Sequence, residues 1–314
     1  MRRTLALALF FFLAAFTARA AQPHGVWHLS DRSDGRMQIE LVSDHNQNSH
    51  PIERNAFAGL TAAQMDASAD TPVDFRLVRD AGTLHFTGSF VHGDGVGRFT
   101  FEPNASYAST LRGLGVAAGD LDDERLFAFA LHDVSVSFIQ EMQSLGYRED
   151  VDKYVAFRIH GATPQFVREI NALGYKPDAT ELVAFRIHGA TTEFIRDIRA
   201  LGLQPDAHEL VAFRIHGVSP EFVKGMKELG VRDLEQDNLV ALRIHGASVE
   251  YVRELRDLGY TNLGAGDLVS MRIHGVTAEY IRDLRSAGYA NIPVEKLVSM
   301  RIHGIDADFV KKTR

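Results

Sequence analysis

The chain has 314 residues, of which 45% are hydrophobic and 24% are charged, and its formal net charge at pH 7 is -7. It contains no cysteine, which excludes disulfide bonds and thiolate metal sites. The negative charge gives no general attraction to nucleic acids or anionic membranes, and the length allows about two domains.

The first 20 residues have the three-part layout of a secretory signal peptide. Arg2 and Arg3 precede an apolar run over residues 5–16, and Ala18, Arg19 and Ala20 follow it. We predict a signal peptide over 1–20, cleaved near Ala21. The apolar run is shorter than the roughly 20 residues of a membrane span, and no later segment approaches that length. The sequence therefore predicts an exported protein, periplasmic or extracellular, without a membrane span after cleavage.

Residues 21–118 alternate between apolar and polar side chains, which is the period of half-buried β-strands. This pattern predicts a three-stranded meander, preceded by two strands and followed by a linking helix. The meander strands are expected around 73–77, 84–87 and 98–102, the earlier strands around 26–30 and 37–42, and the helix over 104–112. We predict a small antiparallel β-rich domain with a linking helix over 21–118.

The remainder of the chain, 119–314, repeats the quartet Arg-Ile-His-Gly at intervals of 28 or 29 residues. Its arginine, histidine and glycine are Arg158, His160 and Gly161; Arg186, His188 and Gly189; Arg214, His216 and Gly217; Arg243, His245 and Gly246; Arg272, His274 and Gly275; and Arg301, His303 and Gly304. A degenerate copy around His132 makes seven histidine-centred copies, of which the terminal ones are atypical. A fixed period of this length is typical of stacked supersecondary units.

Each unit carries the signals of two short helices. A helix N-cap residue such as Thr191 stands three residues after each histidine, and a glycine such as Gly202 ends the helix that follows. A second helix begins at a capping box, for example Asp178 with Glu181, and ends at the quartet. Neither helix is long enough to persist alone in water, so neighbouring units must stack. The predicted fold is α+β and multidomain, with the β-rich domain followed by an α-solenoid of two-helix repeats.

The regular spacing of the quartet favours a structural role for its residues. Each histidine ends a helix, where an imidazole can bond the last carbonyl groups and favour the negative end of the helix dipole. Successive repeats stack at about 10 Å, which is too far apart for the histidines to share a metal ion. The arginines are interpreted as internal ion-pair or carbonyl partners. We predict no metal ligand and no cofactor among them.

A second set of repeated charges lies on the first helix of each unit. Its members occur in pairs three residues apart: Arg196 and Arg199, Lys224 and Lys227, Arg253 and Arg256, and Arg282 and Arg285. Stacking would align these residues into a cationic ridge that could receive an acidic partner. Interleaved acidic residues such as Asp197 and Glu254 favour the other interpretation, a solvated and salt-bridged face.

An alternative function, metal binding, would depend on the histidines of the β-rich domain. Six histidines fall within it: His24, His28, His45, His50, His85 and His92. No pair of them has the spacing of a specific metal site. The chain also lacks the common nucleophile and acid/base motifs, so we predict no catalytic residue and a protein that is not an enzyme.

The segment LVSMRIHGVTAEYIRDLRSAGY, residues 268–289, resembles repeats of uncharacterised exported bacterial proteins that are also appended to BlaR-type sensor peptidases. The resemblance covers roughly residues 126–314 and is specific in the quartet and in the glycine that ends the first helix. It implies an envelope-associated module that binds protein or serves a sensor. It transfers no active site, because the zinc-binding HExxH helix of those peptidases has no counterpart in this chain.

The leading expectation is therefore an exported, non-enzymatic interaction or sensory accessory module, whose helical array presents a surface to an unknown protein or peptide. One alternative is a β-rich head that binds a small ligand or a metal, with the repeats as a spacer. A third is a nucleic-acid binder, because the order of helix, hairpin and helix is similar to the helix-hairpin-helix motif. Acidic residues outnumber basic ones in the array, which argues against a nucleic-acid partner.

Overall fold

A computed structural model describes residues 23–43, 47–117, 119 and 121–312. The predicted signal peptide, His45 and residue 118 lie outside the described residues. The chain divides into two compact units, one up to Ser137 and the other from Phe138 onward. The first contains an antiparallel sheet and the second an array of short helices, so the predicted α+β fold is confirmed.

The sheet has six strands, all paired antiparallel, in the order β3-β2-β1-β6-β5-β4. The strands are β1 (His24–Asp31), β2 (Met37–Ser43), β3 (Gln47–Ile52), β4 (Thr71–Arg79), β5 (Gly82–Val91) and β6 (Asp94–Pro103). The sequence pattern predicts all of these except β3, which is polar and contains Pro51. A strand of that composition is tolerated at the edge of a sheet, which is where β3 lies.

One face of the sheet carries an aromatic core around Trp27. The Trp27 ring lies 5.3 Å from Phe75 and 5.6 Å from Phe90, measured between ring centroids. A Cβ atom at Gly97 would approach the Trp27 indole nitrogen to 2.7 Å, so glycine is needed beneath the ring. The indole nitrogen donates a hydrogen bond to the carbonyl oxygen of Thr87 at 3.2 Å. The alternating pattern of the strands thus places one large cluster on the buried face.

Short helices accompany the sheet within this unit. They are a 3₁₀ helix (Arg54–Ala56), α1 (Ala62–Met65), α2 (Tyr107–Gly113) and α3 (Asp123–Leu131). Helix α3 ends at the degenerate copy of the repeat, and its Phe127 stacks on Phe99 of β6 with ring centroids 5.7 Å apart. The chain before α3 forms the sheet, so an arginine at Ala130 would have no preceding quartet helix to contact. This explains why the first copy departs from the repeat.

The second unit alternates two kinds of helix, each six to ten residues long. The intervening helices are α4 (Val136–Ser144), α6 (Pro164–Ala172), α8 (Thr192–Ala200), α10 (Pro220–Glu228), α12 (Val249–Asp257), α14 (Ala278–Ser286) and α16 (Ala307–Lys312). The quartet helices, which end in the repeated quartet, are α5 (Val151–His160), α7 (Ala179–His188), α9 (Ala207–His216), α11 (Gln236–Ile244), α13 (Ala265–Ile273) and α15 (Val294–Ile302). Each quartet helix packs against the next quartet helix, and from α8 onward each intervening helix packs against the next intervening helix.

Local signals set the helix ends, as predicted. Thr191 accepts a hydrogen bond from the backbone of Phe194 at 3.1 Å, and Asp178 and Glu181 form a capping box. The quartet glycines follow in the left-handed region, for example Gly189 at φ 72°. The left-handed glycine recurs in all six quartets, whereas the Asp–Glu capping box occurs in α7 and α9 and not in α11 or α15, whose N-cap residues are Glu235 and Pro293.

The glycines allow a test of the array's geometry. Gly189→Ala and Gly174→Ala both place alanine at positive φ, which costs about 1–2 kcal/mol. Only the first substitution also puts a Cβ atom 3.2 Å from a guanidinium nitrogen of Arg214, whereas nothing lies within 4 Å of the second. We expect Gly189→Ala to lower the urea midpoint of the full chain, followed by circular dichroism, further than Gly174→Ala. Equal losses would contradict the observed position of Arg214.

Candidate functional site

The arginine of each quartet stacks on an aromatic ring of the preceding intervening helix. The guanidinium carbon lies 4.8–5.1 Å from the ring centroid in all six cases. The pairs are Arg158 with Phe138, Arg186 with Phe166, Arg214 with Phe194, Arg243 with Phe222, Arg272 with Tyr251 and Arg301 with Tyr280. Such a cation–π contact stabilises a partly exposed arginine by about 0.5–1 kcal/mol.

The same arginines reach back to the preceding quartet helix. From Arg186 onward, each Nε donates a hydrogen bond to the carbonyl oxygen of the preceding quartet histidine, over 3.1–3.4 Å. The last carbonyl groups of a helix have no partner within it and carry the negative end of its dipole. The sequence leaves two roles open for these arginines, to form an ion pair or to bond a carbonyl group. In the structure they bond a carbonyl group.

The quartet glycine makes room for this contact. A Cβ atom at Gly217 would lie 3.0 Å from Nη2 of Arg243, and one at Gly161, Gly189, Gly246 or Gly275 would lie 3.1–3.3 Å from Nη2 of the next quartet arginine. Arginine and glycine therefore act as partners across consecutive repeats rather than within one quartet. We call this contact of arginine with carbonyl, ring and glycine the inter-repeat joint.

The histidine side chains of the quartets take no part in the joint. His160, His188, His216, His245, His274 and His303 are all exposed. Within the described part of the chain, only His303 shows the predicted side-chain contact with a helix carbonyl, Nδ1 to the oxygen of Ser299 at 2.8 Å. The described residues also contain no group of three or more histidine, aspartate or glutamate side chains that could hold a metal ion.

The remaining residue of the quartet is an exposed isoleucine in every copy. Between 52% and 57% of each residue is exposed: Ile159, Ile187, Ile215, Ile244, Ile273 and Ile302. In the sequence, Ile187 is one of the apolar residues of its helix, with Leu182, Val183 and Phe185. The signal that could have identified these residues is their identity in all six quartets. A β-branched residue has a modest helix propensity, and the joint does not involve it.

The isoleucines continue an apolar stripe along the quartet helices. Four residues before each isoleucine is a half-buried valine, such as Val183 before Ile187, and an alanine or serine follows that valine. Residues four apart lie on one face of a helix. Adjacent quartet helices pack about 8–10 Å apart, so the six isoleucines span roughly 40–50 Å. We call the six isoleucines together with their six histidines the isoleucine edge.

The structure divides the predicted cationic ridge into two sets. Arg199 donates to the carbonyl oxygen of Leu173 at 2.6 Å, and Lys227 and Arg285 donate to those of Leu201 and Leu258. These side chains contact the ends of the preceding intervening helices, as the quartet arginines do for the quartet helices. Arg256 stands at the same register and is exposed.

The outer members of the ridge, Arg196, Lys224, Arg253 and Arg282, are exposed. Two of them have acidic neighbours: Lys224 lies 3.9 Å from Glu228 and Arg282 lies 3.5 Å from Glu254. Exposed pairs of this kind contribute little to stability. Three of the eight ridge residues therefore bond the preceding repeat through a carbonyl group, and two others are paired with carboxylates.

The histidines of the sheet unit are spread over several elements. His28 on β1 lies 3.7 Å from both Glu40 and Asp94, and His85 on β5 lies 3.4 Å from Glu102. His92 is exposed in the turn before β6. His50 on the edge strand faces His132 with ring centroids 6.0 Å apart. Burial, reinforced by the positive charges of His132 and Arg79, lowers the pKa of His50 to about 4.

Comparison with known proteins yields no match: no family model, no curated protein and no solved structure matches the chain. In the described residues, no helix combines the length and the apolar character needed to cross a membrane. The isoleucine edge is a regularly repeated apolar feature on the surface of the array.

The inter-repeat joint predicts a local effect of Arg243→Ala. This change frees the carbonyl group of His216 and the ring of Phe222, and we expect a loss of about 1–2 kcal/mol. Because repeat arrays are stabilised by contacts between neighbours, amide hydrogen exchange should accelerate in α9 and α11 and not in α5. The control is Arg253→Ala, an exposed arginine, with a change below about 0.5 kcal/mol. Equal effects of the two variants would contradict the joint.

His50 predicts an acid sensitivity of the sheet unit. Its pKa of about 4 lies below the unfolded value near 6.5, so the unfolded state binds more protons between these values. The stability from His50 is present above about pH 6.5 and is lost as the pH falls towards 4. Trp27 is the one tryptophan of the sequence, so its fluorescence in urea reports on this unit. The urea midpoint should decrease less between pH 7 and pH 4 in His50→Gln than in the unchanged protein. The control variant, His85→Gln, should show the same decrease as the unchanged protein.

Proposed function

We propose that this protein is an exported, non-enzymatic interaction module that binds another protein through the isoleucine edge. The observation that carries the proposal is the exposure of the same isoleucine in all six quartets. Single exposed apolar residues are normal, whereas a contiguous row of them on a folded protein is typical of an interaction site. The partner would cover these isoleucines on association.

The contrast within the quartet supports a binding role. The inter-repeat joint explains why each quartet contains an arginine and a glycine. Isoleucine is 52–57% exposed in every quartet, and leucine, lysine or glutamate would favour an exposed helix end more. Since folding alone does not require isoleucine there, its presence in six copies supports selection for contact with a partner.

Export is supported by the predicted signal peptide, and the resemblance to repeats of exported proteins agrees with it. Under this proposal, the partner lies in the cell envelope or outside the cell. The sensory or accessory role would follow if the partner were a membrane receptor.

A ligand-binding sheet unit remains the second candidate function. A shallow cavity of about 320 Å³ on the exposed face of the sheet is lined by Val26, His28, Glu40, Val42 and Val96, among others. Its size lies at the lower end of small-molecule sites. In this case the array would serve as a spacer, and the isoleucine edge would not affect binding.

The test compares variants of the full mature chain in crosslinking and affinity capture from envelope fractions. We expect Ile215→Glu with Ile244→Glu to reduce capture of the partner at least tenfold, because two charges would enter an apolar contact. The captured protein is then identified by mass spectrometry and purified, and its affinity is measured by calorimetry.

Two matched variants serve as controls. Ala172→Glu with Ala200→Glu adds the same charge at exposed positions of the intervening helices, and Arg253→Glu with Arg256→Glu reverses the ridge. Both should leave capture within about twofold, since surface substitutions away from a contact change stability by roughly 0.5 kcal/mol or less. Loss of capture with the ridge variant and retention with the isoleucine variant would overturn the proposal.

A further inference from the structure

We infer that His50 and His132 form a pH-sensitive switch, which holds the edge strand β3 against the turn after α3 at neutral pH and releases β3 in acid. We call this pair the histidine switch. The inference goes beyond the proposed function and concerns the sheet unit alone. Three observations carry it: the contact between the two imidazole rings, the attachment of the turn to the sheet unit, and the position of β3 at the edge of the sheet.

The two histidines face each other beside a third basic group. Their ring centroids lie 6.0 Å apart, and both residues are half-buried. Arg79, at the end of β4, adds a positive charge that acts on His50. The carboxylate of Asp133, in the turn, lies 3.2 Å from Nε of Arg79. The neighbour of His50 on β2 is Ile39, which carries no charge. A proton on His50 is therefore opposed by burial, by the second histidine and by Arg79.

The turn after α3, residues 132–136, is attached to the rest of the sheet unit at several points. Besides the ion pair of Asp133, the hydroxyl group of Tyr107 donates a hydrogen bond to the carbonyl oxygen of Val134 at 2.5 Å. The backbone N–H of Val136 donates to a carboxylate oxygen of Asp80 at 2.7 Å. These contacts do not involve β3, so the turn is the fixed side of the histidine switch.

Strand β3 is the side that can move. It lies at the edge of the sheet and pairs on one side only, with β2. Ile52 is its one buried residue, and Pro51 has no N–H group to donate. Elements with few buried apolar contacts open at a lower free energy than the core of a protein. Repulsion at His50 is therefore expected to separate β3 from the turn while the central strands remain paired.

The pH range of the switch follows from proton linkage. While β3 is in place, burial and the charges of His132 and Arg79 lower the pKa of His50 to about 4, whereas a hydrated imidazole titrates near 6.5. The open state therefore binds more protons, and opening becomes more favourable as the pH falls from 6.5 towards 4. Between pH 7 and pH 5, the opening equilibrium rises about twentyfold. Above pH 7, His50 is neutral in both states and β3 stays in place.

The switch also gives a role to the histidine of the degenerate repeat copy. Ala130 and Asp133 replace the arginine and the glycine of the quartet there, whereas the histidine is present as His132. The six quartet histidines are exposed, but His132 is half-buried and contacts a second imidazole ring. Asp133 adopts the left-handed conformation of the quartet glycine, with φ 52°, and adds a carboxylate that pairs with Arg79.

The experiment measures amide hydrogen exchange in the full mature chain at pH 7 and pH 5. The rates are converted to protection factors, which removes the intrinsic effect of pH on exchange. We expect the protection of residues 47–52 to fall at least tenfold at pH 5, and that of β5 and β6 to change less than twofold. In His50→Gln, the protection of β3 should change less than twofold. The control His85→Gln, a histidine of β5 outside the switch, should keep the tenfold fall.

A second variant and a titration test the contact between the rings. In His132→Gln, one of the groups that oppose protonation is lost, so His50 should titrate at a higher pH by NMR and β3 should lose less protection at pH 5. Constant protection of β3 between pH 7 and pH 5 in the unchanged protein would overturn the inference. An equal fall in β3, β5 and β6 would also overturn it, because it would show a general loss of stability and no separate release of β3.

Discussion

The array depends on one contact, in which an arginine side chain joins the end of one quartet helix to the ring and glycine beside it. Helices of about ten residues are marginal in water, so they persist only when neighbours stabilise them. The joint places a cation at the carbonyl end of the preceding helix and on an aromatic face, where both groups attract it. Related contacts reinforce it: Tyr147 and Tyr175 donate to the carbonyl groups of Pro177 and Pro205 in the following repeat, over 2.8 and 2.7 Å.

This contact also leaves the isoleucine of the quartet, like the histidine, exposed to solvent. Arginine turns back towards the preceding repeat and glycine lies beneath the next arginine, so the isoleucine between arginine and histidine projects from the last turn of its helix. Stacking then repeats this orientation along the array. The inter-repeat joint, which holds the helices together, thereby also produces a row of apolar side chains. The proposed binding surface follows from this joint and needs no separate element.

The repeat period, the helix caps and the glycine ends could be predicted from the sequence because each depends on residues close together in the chain. Strand β3 could not, since its polar residues carry no strand pattern and only pairing with β2 defines it. The helical period of the sequence does not indicate the exposure of Ile187 either. Periodicity shows that a residue is apolar at helical spacing, whereas contact with the next repeat decides which side is buried. For the same reason, the sequence does not distinguish Arg199, which contacts the preceding helix, from Arg196, which is exposed.

The most direct measurement of the central claim is site-specific photocrosslinking in living cells that make the full chain. A photoreactive amino acid is placed at Ile244 on the isoleucine edge, and in a separate strain at Ala200, which is exposed on an intervening helix. The account predicts a discrete crosslinked protein from position 244 and none from position 200. A crosslinked partner from position 200 but not from 244 would show that binding uses another surface and would contradict the account.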